Sequence, residues 1–311
     1  MGQPLVEATD LTKVYNGTTA VDKLNLQIEE GEIFGFLGPN GAGKTTSILM
    51  LLGLTEPTSG EARIGGFQTT TNPLQVKRIT GYLPENVGFY GDLTPVENLL
   101  HITRLNKIPD KEALVKIRES LESVGLDGVA EKEAGTFSKG MRQRLGIADV
   151  LVKDPRLVIL DEPTTGIDPA GVNQILDLIV SMSRDRGITV MLSSHLLHQV
   201  QKICDRVGII FQGRMVAQGS IDELGREAGG GKQNVIEVQV TEAAPPLCQS
   251  LRSIAGVNSV EQMGSNFTIT CERDVRQEIS RVVVDNGSLP LEVKARDYGL
   301  EEIYMKYFRE G

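Results

Sequence analysis

Apolar residues fall into two regimes along this chain. Over the first 220 positions, short and almost wholly apolar runs recur: GEIFGFL at 31–37, ITGYLP at 79–84, RLVILDEP at 156–163 and ITVMLSS at 188–194. Runs of that length, closed by glycine, proline or polar residues, suit strands buried on both faces. Helical spacing follows several of them, at 44–53, 169–185 and 196–204. Strands alternating with helices predict an α/β core on a parallel sheet. VEATDL and LNLQIEE near the start alternate with polar residues and predict an antiparallel edge, and RVGIIFQGRMVAQG at 206–219 predicts a hairpin around Gln212–Gly213. A helix-rich stretch, about 92–153, interrupts this order and predicts an inserted helical subdomain.

The second regime begins after GREAGGGKQ at 225–233, a polar, glycine-rich break that predicts a linker between a first domain, 1–224, and a second, 234–311. Beyond it come strand NVIEVQVT, a short helix at 246–255, strands VNSVEQM and NFTITCE, a helix at 274–286 and strand LPLEVKARD. That β-α-β-β-α-β order predicts a small ferredoxin-like α+β domain. An amphipathic helix, LEEIYMKYFRE, follows it.

Composition narrows the classes. The 311 residues, 40% hydrophobic and 23% charged, fit a globular chain of about two domains. A net charge of −9 argues against an extended nucleic-acid surface. The three cysteines, Cys204, Cys248 and Cys271, have no metal-ligand spacing and suggest a reducing compartment. No apolar run approaches the 18 or so residues of a spanning helix, and the start reads as neither a signal peptide nor a myristoylation site.

GPNGAGKTT at 38–46 has the spacing G-x-x-x-x-G-K-[ST] directly after a predicted strand. Gly38, Gly41 and Gly43 let backbone N–H groups turn toward phosphate oxygens, with Asn40 and Thr46 in the same loop. Lys44 is placed to neutralise the β- and γ-phosphates and Thr45 to ligate Mg²⁺. In LVILDEP a buried strand delivers Asp161 to the metal and Glu162 to an attacking water. These residues predict a P-loop nucleoside triphosphatase using Mg²⁺, and do not say which kind.

FSKGMRQRL at 137–145 predicts a helix start capped by Ser138. Its first turns carry Lys139, Arg142 and Arg144 and no acid before Asp149, which suits a docked anion. FSKGM resembles the LSGGQ signature of the ATP-binding-cassette (ABC) family through Ser138 and Gly140, with Phe137, Lys139 and Met141 departing from it. Four further motifs agree in order over about residues 4–220. Tyr15 in LTKVYNG resembles the adenine-stacking aromatic. DEPTTGIDP resembles the Walker B motif and D-loop, with Asp168 as the D-loop aspartate. His195 in LSSHLLHQV resembles the switch histidine. Glu85, after ITGYLP, stands where the family usually has a glutamine that senses the metal site. GYLPENVGFYGDLT and FSKGMRQRL together look like the subfamily serving ABC-2 type exporters, and the surroundings of Glu85 are similar to the ATPase of the copper-maturation transporter for nitrous oxide reductase.

The resemblance implies an ATPase that dimerises head to tail with a second copy, ATP lying between the glycine loop of one and the signature of the other. It implies separate transmembrane permease partners and a cytoplasmic place on the inner face of the plasma membrane. Glu162 and His195 are then the catalytic pair; Thr45, Asp161 and Glu85 face the metal; Tyr15, Ser138, Gly140 and Asp168 join the glycine loop in holding nucleotide. The alternatives are a soluble ABC ATPase acting on nucleic acid or ribosomes, and a P-loop GTPase or kinase. The first meets the acidic charge and the lack of a coiled-coil insertion, and the second leaves FSKGM and His195 without a role.

Overall fold

A computed structural model describes residues 4–228, 234–243, 245–295 and 300–309. The chain divides into two compact units, Met1–Gly219 and Ser220–Gly311.

In the first unit a six-stranded sheet has the order Arg214–Gly219, Arg206–Phe211, Ile33–Leu37, Thr189–Ser194, Leu157–Asp161, Thr80–Leu83. All its pairings are parallel except that between Arg206–Phe211 and Arg214–Gly219. Every residue of Ile33–Leu37, Leu157–Asp161 and Thr189–Ser194 is buried, as their unbroken apolar pattern requires. The hairpin turns at Gln212 (φ 48°) and Gly213 (φ 81°), both left-handed, as a two-residue turn that follows the strand twist demands.

The antiparallel edge is a separate sheet of four strands, ordered Thr18–Ile28, Val6–Tyr15, Ser59–Ile64, Phe67–Gln68. Its last two strands carry little apolar pattern; SGEARI buries only Ala62 and Ile64, so no periodicity announces it. Helix Lys44–Leu51 contributes Ile48, Met50 and Leu51 to a core shared with Leu11, Leu24 and Leu26 of this sheet and Phe34, Phe36 and Ile159 of the larger one.

Between neighbouring strands Thr80–Leu83 and Leu157–Asp161 the chain leaves the sheet to form helices Pro95–Leu105, Asp110–Ser123 and Lys139–Leu151. Thr94 and Glu97 close a reciprocal capping box on the first. Lys139–Leu151 returns to the sheet so closely that a Cβ on Gly81 would stand 2.1 Å from Val150 Cγ1. That glycine fixes how near the subdomain's last helix lies to the strand ends.

The second unit has strands Asn234–Val240, Val257–Met263, Asn266–Cys271 and Pro290–Ala295 and helices Leu247–Arg252 and Arg276–Asp285. The sheet order is Val257–Met263, Asn266–Cys271, Asn234–Val240, Pro290–Ala295, antiparallel throughout, which is the ferredoxin-like arrangement. Ile236, Val238, Phe267 and Ile269 meet Leu247, Leu251, Ile279 and Val283 in its core. Helix Ile221–Ala228, capped by Ser220 and Glu223, packs with helix Leu300–Arg309. Its last four residues occupy the start of the stretch expected as linker, and 229–233 lie outside the described residues.

Candidate functional site

Sheet register gathers the site. Leu37 pairs with Ser194 and Asp161 with Ser193, so the loop after Leu37, the pair Asp161–Glu162 and His195 all emerge at one carboxyl edge. That edge is where open α/β sheets hold ligands. Three segments more than 120 residues apart at the extremes become one site by strand order alone.

The glycine loop wraps a buried lysine. Gly43 sits at φ 106°, and a Cβ there would lie 2.6 Å from the Ala20 carbonyl, so the position admits glycine alone. Lys44, 6% exposed, begins the helix and turns its ammonium back into the loop. Nζ donates to the carbonyls of Gly38 at 2.7 Å and Pro39 at 3.3 Å. It also lies 3.4 Å from Glu162 Oε1. Thr45 Oγ1 donates to Asp161 Oδ2 at 3.1 Å, and Ser193 Oγ donates to Asp161 Oδ1.

Glu162 is 8% exposed and adopts left-handed backbone, φ 51°, a conformation that costs a non-glycine residue about 1 kcal/mol or more. Its N–H donates to the carbonyl of Ser193 at 3.1 Å and also approaches the Ser193 hydroxyl at 3.2 Å. Oε2 accepts from Thr165 Oγ1 at 3.4 Å and lies 2.8 Å from His195 Nδ1. A carboxylate only accepts, so Nδ1 carries the hydrogen of that bond. Oε1 is buried with no hydrogen bond, and its contact with Lys44 is an ion pair without hydrogen-bond geometry. An orphaned carboxylate oxygen beside a cavity is a group set aside for something that arrives. Nearby, burial and then the Asp161 charge push the Tyr82 phenol up to about 12.

Lys44, Thr45, Asp161 and Glu162 border a cavity of about 210 Å³ that also takes in Asn40, Gly41, Gly43, Thr46 and Glu85. Glu85 stands exposed on its rim. Among the described residues no three His, Cys, Asp or Glu side chains gather as a metal cluster. The donors present are the Thr45 hydroxyl and Asp161 carboxylate, which fit Mg²⁺: a hard ion that takes few protein oxygens and completes its shell with phosphate and water.

Gly38 and His195 stand behind the lining, reaching it through Lys44 and Glu162, and Tyr15, Ser138, Gly140 and Asp168 do not line this cavity. Tyr15 ends the strand Val6–Tyr15, 45% exposed, with the Lys13 ammonium 5.0 Å from its ring centroid. The other three form a second patch. Ser138 caps helix Lys139–Leu151 by accepting from Met141 N, and Asp168 caps helix Pro169–Arg184 by accepting from Gly171 N at 3.2 Å. The two helix starts touch: a Cβ on Gly140 would lie 3.6 Å from Ile167 Cγ2, and one on Gly166 2.6 Å from Lys139 Nζ.

The basic stretch is put to a different use from the one its charges suggest. Arg142 donates to the Phe137 carbonyl, and Arg144 to the carbonyls of Val124 at 2.9 Å and Gly125 at 3.2 Å. Both guanidiniums brace loops of the helical subdomain, which leaves Lys139 as the exposed cation at this helix start. Sequence reasoning missed Ser193 and Thr165, which hold the two carboxylates. LSSH and DEPTT contain both, but only strand register shows which hydroxyl faces which oxygen.

Comparison with known proteins follows the same lines. A family profile described as ABC transporter matches residues 21–165. The chain is 38% identical over 309 residues to the bacitracin transport ATP-binding protein BcrA of Bacillus licheniformis, covering 99% of this chain and 98% of that one. It is 37% identical to the linearmycin resistance ATP-binding protein LnrL of Bacillus subtilis, over 82% and 81% of the two chains. It is 38% identical to the daunorubicin/doxorubicin resistance ATP-binding protein DrrA of Streptomyces peucetius, over 76% and 71%. Among solved structures, an ATP-binding subunit of an ABC transporter superposes with TM-score 0.66 at 30% identity, over 72% of this chain and 93% of that one. A dimeric cassette bound to ADP and Pi shares the fold with TM-score 0.62 at 24% identity, over 69% and 98%.

Proposed function

The chain belongs to the ABC transporter family as an ATP-binding, ATP-hydrolysing subunit, and we propose on that premise that it powers an ABC-2 type exporter. Relatives named for bacitracin transport and for linearmycin and daunorubicin resistance support export of a compound foreign or toxic to the cell. In this reading the path belongs to separate permease subunits that hold this chain at the inner membrane face; among the described residues no helix is long and apolar enough to cross a membrane. Neither the net charge of −9 nor these relatives favour action on nucleic acid.

One observation carries the catalytic reading: Glu162 is buried, hydrogen-bonded to His195, and keeps Oε1 free of any hydrogen bond beside the cavity. On ATP binding, Lys44 exchanges the Gly38 and Pro39 carbonyls and Glu162 for phosphate oxygens. Glu162 then takes a proton from the water that attacks the γ-phosphorus, and ADP and phosphate leave. His195 holds the carboxylate at the angle that reaction needs. Thr45 and Asp161, with Glu85 at the rim, would hold Mg²⁺, which would neutralise charge on the phosphates.

Ser138, Gly140 and Asp168 form a patch apart from their own chain's cavity. A second copy, placed head to tail, brings that patch to the nucleotide, and Tyr15 stacks on adenine. The test is association with a non-hydrolysable ATP analogue followed by sedimentation. The native chain gains association when the analogue is added, and Ser138→Arg binds the analogue without that gain. A Ser138→Arg chain whose association rises with the analogue as the native one's does would sink the head-to-tail reading.

A further inference from the structure

We propose that the edge strand Pro290–Ala295 pairs antiparallel with the same strand of a second copy, joining two four-stranded sheets into one of eight. Among the described residues this strand pairs only with Asn234–Val240, so its outer edge is open. The register Ile236↔Ala295 and Val238↔Val293 puts 293 and 295 on the face covered by helices and 292 and 294 on the open face, with a bulge at Leu291, because Pro290 takes the position opposite Val240. Large apolar residues stay exposed in this unit. Leu291 is 61% exposed, Leu289 just before the strand 62%, and Val284 on helix Arg276–Asp285 52%. Large apolar residues left out beside an open strand edge resemble half of a core.

The charges choose the occupant. A strand that pairs with itself about a two-fold axis through Val293 sets 292 opposite 294 twice, so Glu292 meets Lys294 of the partner subunit and Lys294 meets Glu292 of the partner subunit. Axes at 292 or 294 set Glu against Glu or Lys against Lys. Lys294 already lies 3.8 Å from Glu237 and 3.4 Å from Glu292. The joined sheet therefore carries a row of alternating sign: Glu237, Lys294, Glu292 of the partner subunit. On the helical side, Val293 faces its own copy.

This contact needs no nucleotide, which separates it from the sandwich proposed above. The experiment is sedimentation of the full chain without ATP. The native chain forms a dimer; E292K and K294E each weaken it by about tenfold, because one substitution alters two symmetric pairs; the double variant E292K/K294E restores it. Val293→Cys gives a disulfide-linked dimer under mild oxidation, where the native chain with Cys204, Cys248 and Cys271 gives none. A nucleotide-free chain that is monomeric at the highest soluble concentration overturns the proposal, and would mean that Pro290 and Lys294 serve to keep the edge solitary. A dimer indifferent to both single charge reversals overturns it as well.

Discussion

Replacing Glu162 by Gln should move two measurements in opposite directions. Both side chains of the Lys44–Glu162 pair are below 10% exposed, at 3.4 Å. At an effective dielectric constant of about 20 their gross attraction is roughly 5 kcal/mol. Incoming phosphate must replace that attraction, so the native carboxylate competes with ATP for Lys44. Glutamine keeps the shape and removes the competition. Since Lys44 also bonds to Gly38 and Pro39, only part of the gross value appears, about 1–2 kcal/mol, or roughly 5–30-fold tighter ATP binding. Turnover should fall by about 10²–10⁴-fold, because the amide takes no proton. Calorimetry of ATP binding and steady-state phosphate release read the two effects. His195→Ala should cost far less in the Glu162→Gln background than alone, since the 2.8 Å contact makes His195 act through the carboxylate. Turnover close to native in Glu162→Gln, or weaker ATP binding, would refute the reasoning.

Gly43→Ala should abolish ATP binding and lower stability by more than about 2 kcal/mol, read by thermal melts, because φ 106° and the Ala20 carbonyl both oppose a methyl group. Asp149 has a buried Oδ1 without a hydrogen bond, and burial pushes its carboxyl up to about 6 while Lys153 pulls it back. A raised carboxyl favours the protonated fold, so its contribution is complete below about pH 4 and lost as pH rises through about 6. Asp149→Asn should therefore add about 1–3 kcal/mol at pH 8 and almost nothing at pH 4 in urea titrations; equal gains at both would contradict this. Arg144→Met should cost about 1–3 kcal/mol by leaving the Val124 and Gly125 carbonyls unpaired, with ATP affinity unchanged in the same preparation.

Much of the first unit was legible because its chemistry sits at strand ends. An apolar run followed by GPNGAGKTT or DEP fixes both the strand and what it delivers, and the parallel pairings then converge without further information. Ser138 was legible as a cap from its position alone. The fate of Arg142 and Arg144 was not, because a cation at a helix start reads the same whether it awaits an anion or binds a backbone carbonyl, of Phe137 for one and of Val124 and Gly125 for the other. Strand Ser59–Ile64 stayed hidden for a related reason: its outer positions are polar and its two buried ones too few to make a period. In the second unit the order of elements gave the topology, whereas the open edge at Pro290–Ala295 emerged only from the pairing register.

The central place of Ile33–Leu37 has a consequence for the chain's birth. Its two neighbours in the sheet are Thr189–Ser194 and Arg206–Phe211, more than 150 residues later. At roughly 5–20 residues per second of synthesis, IFGFL waits about 8–35 s before both flanking strands exist. During that interval five apolar residues have their final hydrogen-bond partners still untranslated. The antiparallel sheet, complete by Gln68, can cover one face of the strand early, through Leu24, Leu26 and Ile28. The first 68 residues thus act as a nursery for the nucleotide loop, sheltering it until the far end of the unit leaves the ribosome.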